Sequence, residues 1–526
     1  MQAWNKISRM PAAAIRKMQD DLVYKMVNEE LAVRHPYYRA LFKEANINPA
    51  EIKSVSDLSK LPFTEKKDLL PPEGEPLHPK KFVLEVPEEG EDKGKKKGIG
   101  LFGKKEAETG RSDYRFQTLY FTAGRTEKPV PVEYTNYDLA NLREAGLRTF
   151  DILGVTRDDT LINAFTFAPN VYFWQMFYST IGIGSTALQT GGGKVLGMEK
   201  ILKALDSMEA PVLVAAPGYA MFMLQTLDHF GFSAANLERV VMGIDYAPME
   251  AVEKLRKLMK SVGAKNDLVQ RTYFISEAKS GWAECEPDFG YHTNPDHILV
   301  EIVDPESGAL LGEGEKGEVV ISHLDTRGTV LMRYKTGDIA TGGLTTEPCP
   351  NCKRTVPRIM GDIERKSLVF DLKGRDGVFR FNGNHLRKKM FAREDVLLWY
   401  AELNRSGSED NLKIVVKGVS GAVQAARLDM GNQIDEFGAN LVIVPRSEGM
   451  ELSYGGTAIS RVSLELAQLN ETDLLKIEEI ADRNSINVVS PKMVTAADVN
   501  GNPVLLVGVI PQKEFLMKPW FSFAEL

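Results

Sequence analysis

All three cysteines of the 526-residue chain fall in one region, with a histidine among them. Cys285 stands in Glu284-Cys285-Glu286-Pro287, seven residues before His292, and Cys349 and Cys352 form Pro348-Cys349-Pro350-Asn351-Cys352. Three thiolates and one imidazole make a tetrahedral zinc set, with a knuckle supplying two ligands and a separate segment the other two. Four protein ligands leave no open position, so such an ion is structural, and its binding energy is folding energy, ~10 kcal/mol or more in zinc-finger peptides. A redox pair at Cys349 and Cys352, with Cys285 merely buried, is the other reading of these residues. His297 competes with His292 as the fourth ligand.

Three further runs carry groups suited to a nucleotide. Thr122-Ala123-Gly124-Arg125-Thr126-Glu127-Lys128-Pro129 follows a β-prone run. Hydroxyls, a glycine and a lysine in a turn suit phosphate oxygens, although the Walker A spacing is absent. Tyr273-Phe274-Ile275-Ser276-Glu277 places an aromatic ring four residues before a carboxylate, a pattern that can stack a base and hold Mg²⁺ near phosphates. Tyr334-Lys335-Thr336-Gly337-Asp338 ends on a carboxylate that can accept two ribose hydroxyls. Each run by itself reads equally as a polar turn, a strand edge or an Asx turn.

The elements that must position these groups alternate in type. Residues 1–70 read as short helices, with Thr64 as an N-cap. Residues 72–112 hold a Glu/Gly/Lys run that cannot build a core and reads as a charged surface insertion. From 117 to 340, short apolar runs such as Val212–Ala216 and Val240–Gly243 alternate with helical patterns such as Tyr219–Phe230. This predicts an α/β fold, a mostly parallel sheet covered by helices, with ligands at the strand C-terminal ends. Runs 297–301 and 317–322 read as an antiparallel pair turning at Asp304-Pro305-Glu306-Ser307-Gly308. The resulting division is an N-terminal domain (1–361) with a small β subdomain, a small α+β domain (362–450) and an appendage (451–526). The small domain is read with strands near 368–372, 412–416 and 440–444 and helices at 385–403 and 423–437. The appendage is read with a helix at 471–483 and a strand at 503–510.

A net charge of −7 gives no general attraction to nucleic acid or anionic membranes. Three clustered cysteines are not a disulfide framework, which points to a reducing compartment and a cytoplasmic location. The most apolar stretch, Leu161 to Gly184, contains Asn163, Pro169, Asn170 and Gln175 and reads as a buried helix rather than a membrane span. Residues 1–14 lack the pattern of a signal peptide.

Taken in order, the runs resemble the adenylate-forming superfamily, and within it the phenylacetate–CoA ligase family in its zinc-bearing form. His35-Pro36-Tyr37-Tyr38-Arg39 with Leu61-Pro62-Phe63-Thr64-Glu65-Lys66 is similar to the family's N-terminal signature, and the resemblance extends over roughly residues 30–450. It implies ATP/Mg²⁺, CoA and a small, aromatic carboxylic acid as partners, a structural Zn²⁺, a mobile C-terminal domain, and it admits a homodimer. It implies that Thr122, Gly124, Thr126 and Lys128 hold the ATP phosphates and that Gly243 and Asp245 lie beside the adenine. Tyr273 would stack on the base next to Ser276, Glu277 would bind Mg²⁺ and Asp338 the ribose. Thr126, Lys128 and Glu277 would serve the chemistry. Phe165, Phe167, Tyr172, Phe173 and Trp174 would help line the acid pocket.

Four positions depart from the family pattern. Glu127 and Phe274 stand where glycines are usual, and Met360-Gly361-Asp362-Ile363-Glu364 lacks the ribose-contacting arginine, with Glu364 as a hinge substitute. Met450 replaces the lysine that promotes adenylation, with Lys492, Lys513 and Lys518 available in the appendage. These departures leave two other readings: adenylylation of another acceptor, such as a deazaflavin cofactor, without CoA, and a nucleotide-binding protein with little catalysis.

Overall fold

The computed structural model describes residues 2–72, 78–87, 111–122, 129–167, 171–374, 377–405, 410–418, 441–443, 451–454, 457–461, 492–499 and 502–509. The chain forms two compact units, Met1–Leu466 and Ala467–Leu526.

The central sheet of the first unit has nine strands. Thr186–Gln189, Thr160–Asn163, Val212–Ala215, Arg239–Met242 and Leu268–Ile275 lie side by side in parallel. Ser280–Ala283, Tyr291–His292, Arg358–Ile359 and Leu344–Thr345 extend the sheet antiparallel. Val212–Ala215 is buried at every position, as a strand covered on both faces must be. The expected α/β architecture is therefore present, and the main core joins these strands to helices such as Pro217–Phe230 and Met249–Ser261.

The helix Asn136–Leu153 begins at a capping box between Thr135 and Asp138 and ends at Gly154, whose φ of +70° only glycine adopts without strain. Within the apolar stretch 161–184, Thr160–Asn163 is a strand and Val171–Ile183 a helix.

A second sheet holds Ile298–Val303, Gly317–His323, Tyr334–Ala340 and Ile363–Arg365, all antiparallel. The turn at 304–308 forms as expected: Asp304 Oδ1 accepts the Ser307 N–H at 2.7 Å and the Ser307 hydroxyl at 2.8 Å. Thr64 is not an N-cap. Its hydroxyl donates to Met332 O at 3.1 Å, and Glu65 with Asp68 forms the capping box of Lys66–Leu69.

Beyond Ile363–Arg365 come the hairpin Val369–Gly374 with Gly377–Asn382, the helix Gly383–Ala392 and the strands Val396–Asn404, Asn411–Gly418 and Leu441–Ile443. The helix expected over 385–403 stops at Ala392. Val396-Leu397-Leu398-Trp399-Tyr400 is rich in β-formers and finds a pairing partner in Asn411–Gly418, which decides its conformation. The expected helices at 423–437 and 471–483 lie outside the described residues. In the second unit Lys492–Val499 and Asn502–Val509 pair antiparallel. Among the described residues no helix is long and apolar enough to cross a membrane.

Candidate metal centre and nucleotide site

The hairpin Ser280–Ala283 to Tyr291–His292 and the knuckle after Thr346 converge on one point. The ligand atoms of Cys285, His292, Cys349 and Cys352 all lie within 4.8 Å of one another, and none of the cysteines is in a disulfide. Cys285 Sγ is 3.7 Å from Cys349 Sγ. Two thiolates at ~2.3 Å from a tetrahedral zinc stand about 3.8 Å apart, so this is the edge such an ion requires. Cys352 Sγ is 3.2 Å from His292 Nε2, while His292 Nδ1 lies 3.2 Å from the Ala283 carbonyl. That carbonyl takes the Nδ1 proton and leaves Nε2 as the ligating nitrogen. Asn351 Nδ2 approaches Cys285 Sγ at 3.4 Å, and Lys353 turns the knuckle with φ +63°. His297 sits elsewhere, 3.6 Å from Asp296 Oδ2.

The nucleotide runs meet where Leu268–Ile275 and Tyr334–Ala340 come together. The Tyr273 hydroxyl donates to Asp338 Oδ2 at 2.8 Å, and the Tyr334 hydroxyl donates to Glu277 Oε1 at 2.9 Å. Tyr273 is itself buried against Trp282 and Tyr291, with ring centroids at 5.5 and 5.8 Å. Burial pushes the Asp338 carboxyl up, and Arg365 and the Tyr273 hydroxyl oppose that shift. Burial likewise pushes Glu277 up, against its own backbone N–H, the Tyr334 hydroxyl and the Arg365 and Lys66 charges.

Gly243 and Asp245 occupy the turn after Arg239–Met242, at the C-terminal edge of the parallel strands. A Cβ on Gly243 would lie 2.3 Å from Thr272 Oγ1 and 3.1 Å from Phe165 Cζ, so a side chain here would have to displace Thr272. Ile244 has φ +65°, a strained conformation for a β-branched residue. Asp245 Oδ1 accepts the Tyr246 N–H at 2.7 Å and contacts the Arg387 guanidinium on the helix Gly383–Ala392. Phe165, Tyr172 and Phe274 meet edge to face near this turn, at 5.6 and 6.0 Å, whereas Phe167 is exposed and packs on Phe173.

Thr122 closes the mouth of its loop: its hydroxyl accepts the Val130 N–H at 3.0 Å, and its N–H donates to Val130 O at 3.0 Å. Gly124, Thr126, Lys128 and Met450 lie outside the described residues. Ser276 opens the turn that carries Glu277, its carbonyl accepting the Lys279 N–H at 3.1 Å.

The chain is 27% identical to the phenylacetate–coenzyme A ligase of Thermus thermophilus over 365 residues, covering 68% of this chain and 72% of that one. It is 24% identical to the Escherichia coli phenylacetate–coenzyme A ligase over 396 residues, covering 73% and 78%. Over about two thirds of its length the chain is thus similar to the phenylacetate–CoA ligases. Among solved structures, a 2-hydroxyisobutyryl-CoA ligase in its postadenylation state superposes with a TM-score of 0.64 at 18% identity, covering 90% of this chain and 94% of that one, which shows the shared fold. No protein-family model matches the chain.

Sequence reasoning missed Arg365, which the fold brings into the site, and a buried cluster around Arg271. Arg365 pairs across from Asp338, with Nε 3.1 Å from Asp338 Oδ1, so an arginine does reach the expected ribose acceptor. Glu364, on the opposite face of the same strand, pairs instead with Lys316 at 2.7 Å. Asp362 accepts from the buried Arg271 at 2.8 Å, and Arg271 also grips Glu284, beside Cys285, at 2.6 and 2.7 Å. Only the strand register of 363–365 against 338–340 would have disclosed Arg365, and that register has no local sequence signal.

Proposed function

We propose that the protein is an ATP-dependent acid–thiol ligase that activates a carboxylic acid as its acyl-adenylate and passes the acyl group to CoA. The reading rests on kinship with the phenylacetate–CoA ligases. The observation that carries it is the juxtaposition of Tyr273–Asp338 with Tyr334–Glu277 at the strand edge. Asp338 Oδ1 receives no hydrogen bond among the described residues and lies 3.1 Å from Arg365 Nε, which fits an acceptor for a ribose hydroxyl.

In this reading Asp338 holds the ribose, Tyr273 and the Gly243–Asp245 turn border the adenine, and Thr122, Gly124, Thr126 and Lys128 cradle the phosphates. Glu277 would hold Mg²⁺, which when bound neutralises phosphate charge facing the incoming carboxylate. A carboxylate oxygen attacks the α-phosphorus and pyrophosphate leaves; the CoA thiolate then attacks the acyl carbon and AMP leaves. Phe165, Tyr172 and Phe274 form the apolar wall against which an aromatic acid would pack. Residues 362–450 act as a domain that moves about a hinge near Glu364, and Cys285, His292, Cys349 and Cys352 hold a structural zinc. The setting is the cytoplasm, and a homodimer is compatible with it.

The test is ATP–pyrophosphate exchange with a panel of aromatic and aliphatic acids, CoA omitted. Acid-dependent exchange is expected despite Met450. Nucleotide binding with no exchange for any acid would overturn acid activation and favour another acceptor or a binding role.

A further inference from the structure

Between Leu268–Ile275 and Ser280–Ala283 the chain reverses in a tight turn, Ser276 to Lys279, which carries Glu277. Ala278 N–H donates to Ile275 O and Lys279 N–H to Ser276 O, both at 3.1 Å. Lys279 has φ +55°, a conformation that costs a lysine energy and persists only when its surroundings impose it. Its side chain is buried. Nζ donates to Asp138 Oδ2 at 2.8 Å and to Thr326 Oγ1 at 3.1 Å, and lies 4.8 Å from the centre of the Tyr134 ring.

Asp138 collects donors from two more segments. Its carboxylate accepts the Thr326 hydroxyl at 2.5 Å, the Arg327 and Gly328 N–H groups at 2.8 Å each, and the Thr135 N–H at 3.0 Å. Gly328 comes so close that a Cβ there would lie 2.2 Å from Glu133 O and 2.6 Å from Asp138 Oδ2. Thr135 ends the strand Pro131–Thr135, the strand that leaves the 122–130 loop. The Glu277 turn, the 324–329 loop and the exit of the phosphate-loop segment are thus joined through one carboxylate and one ammonium.

Stability does not call for this arrangement. A buried ion pair is often matched or exceeded by apolar residues of the same volume, and a hairpin turn needs neither a lysine nor a left-handed non-glycine residue. What the pair supplies is a fixed geometry between segments distant in sequence. We propose that Lys279, through Asp138, is a positioning residue for Glu277, setting that carboxylate relative to the strand Pro131–Thr135 and the 324–329 loop so that the metal is gripped in a fixed place. This rests on Glu277 being the magnesium ligand. Lys279 touches no substrate; it acts by locking the turn, as groups behind a ligand orient the ligand itself.

The experiment measures ATP affinity by calorimetry with and without Mg²⁺, together with the thermal midpoint, for the wild type, Lys279→Met, Lys279→Gln and Lys279→Arg. The expected result is that Lys279→Met lowers the Mg²⁺-dependent gain in ATP affinity about tenfold, in the range seen when groups behind a metal ligand are removed. Mg²⁺-free affinity should change little. Lys279→Gln, which loses the charge and is one bond shorter than lysine, should show a loss in the same direction and serves if the methionine variant does not fold, and Lys279→Arg should recover most of the loss. A folded Met or Gln variant with a lowered thermal midpoint but an unchanged Mg²⁺ effect would overturn the positioning role. Absence of any Mg²⁺-dependent ATP binding in the wild type would instead overturn the magnesium reading of Glu277, and this inference with it.

Discussion

Arg365 stands across the strand pair from Asp338, its Nε 3.1 Å from Asp338 Oδ1. The carboxylate is almost wholly buried while the arginine is half exposed, so one partner is fixed and the other reaches in from solvent. Burial pushes Asp338 towards its neutral form, and Arg365 and the Tyr273 hydroxyl offset part of that shift. A buried carboxyl group with one oxygen lacking a hydrogen bond is prepared for a hydroxyl donor.

Replacing Asp338 by alanine should therefore weaken ATP binding by about 1–3 kcal/mol, the usual cost of leaving buried polar groups without partners. That is roughly a 5- to 150-fold rise in Kd, readable by calorimetry. Since Asp338 also accepts from Tyr273, the thermal midpoint should be recorded alongside. Unchanged affinity in a folded variant would remove Asp338 from the ribose.

The four metal-site residues give a second expectation. Purified protein should carry one zinc per chain by elemental analysis, and its three thiols should resist titration until the protein is denatured or treated with a chelator. Cys352→Ser removes one thiolate and should lose the ion. The site ties the 285–292 hairpin to the knuckle at 349–352, so metal loss should lower the thermal midpoint even if the ion contributes only a fraction of the ~10 kcal/mol found in zinc-finger peptides. Metal-free protein with freely reactive native thiols would show that the cluster holds no ion.

How far the sequence anticipates this site depends on the range of the interaction concerned. Cys349-x-x-Cys352 and the turn at Asp304 are local, and their residue types announce them. The α/β core was legible for the same reason, because strands buried on both faces read as unbroken apolar runs. The strand Val396–Asn404 was misread as helix because an apolar run fits either period until a neighbour pairs with it, and Asn411–Gly418 does so. Arg365 and the Arg271–Glu284–Asp362 cluster were invisible for another reason. They depend on register and on contacts between residues up to 91 positions apart, which no local pattern records.

Acid should weaken the fold through its buried histidines. His35 is fully buried, with Nδ1 accepting the Tyr38 N–H at 3.3 Å and Nε2 lying 3.2 Å from Val330 O, an arrangement that suits the neutral ring. Burial lowers it to about 3, although backbone hydrogen bonds oppose the shift, and His323 is likewise lowered to about 3 by burial. The folded value lies below the unfolded ~6.5, so below that pH the unfolded chain binds more protons. Stability is then fully present above pH 6.5 and is lost as pH falls from there towards 3, by up to about 1.4 kcal/mol per pH unit for each histidine. Urea midpoints at pH 7, 5.5 and 4 should decline in the wild type and decline less in His35→Asn, which can still cap Pro36–Glu44. Parallel slopes would assign the acid sensitivity elsewhere.

The last prediction concerns the link between the metal hairpin and the segment entering the small domain. Arg271 is wholly buried, donates two hydrogen bonds to the equally buried Glu284 and one to Asp362 at 2.8 Å, and lies 5.6 Å from the centre of the Tyr291 ring. Asp362 in turn meets Lys388 of the helix Gly383–Ala392 at 3.5 Å, and Lys388 lies 3.4 Å from Glu250. Truncating one member of a buried pair leaves the other charge without compensation, so Arg271→Met should destabilise the protein by about 3–5 kcal/mol. Adding Glu284→Gln removes the orphaned charge and should recover a substantial part of that loss, a coupling that a double-mutant cycle isolates. If Arg271 also holds Asp362 in place, the double variant should regain stability while hydrogen exchange in 383–392 stays faster than in the wild type. Recovery of both together would confine Arg271 to the metal hairpin.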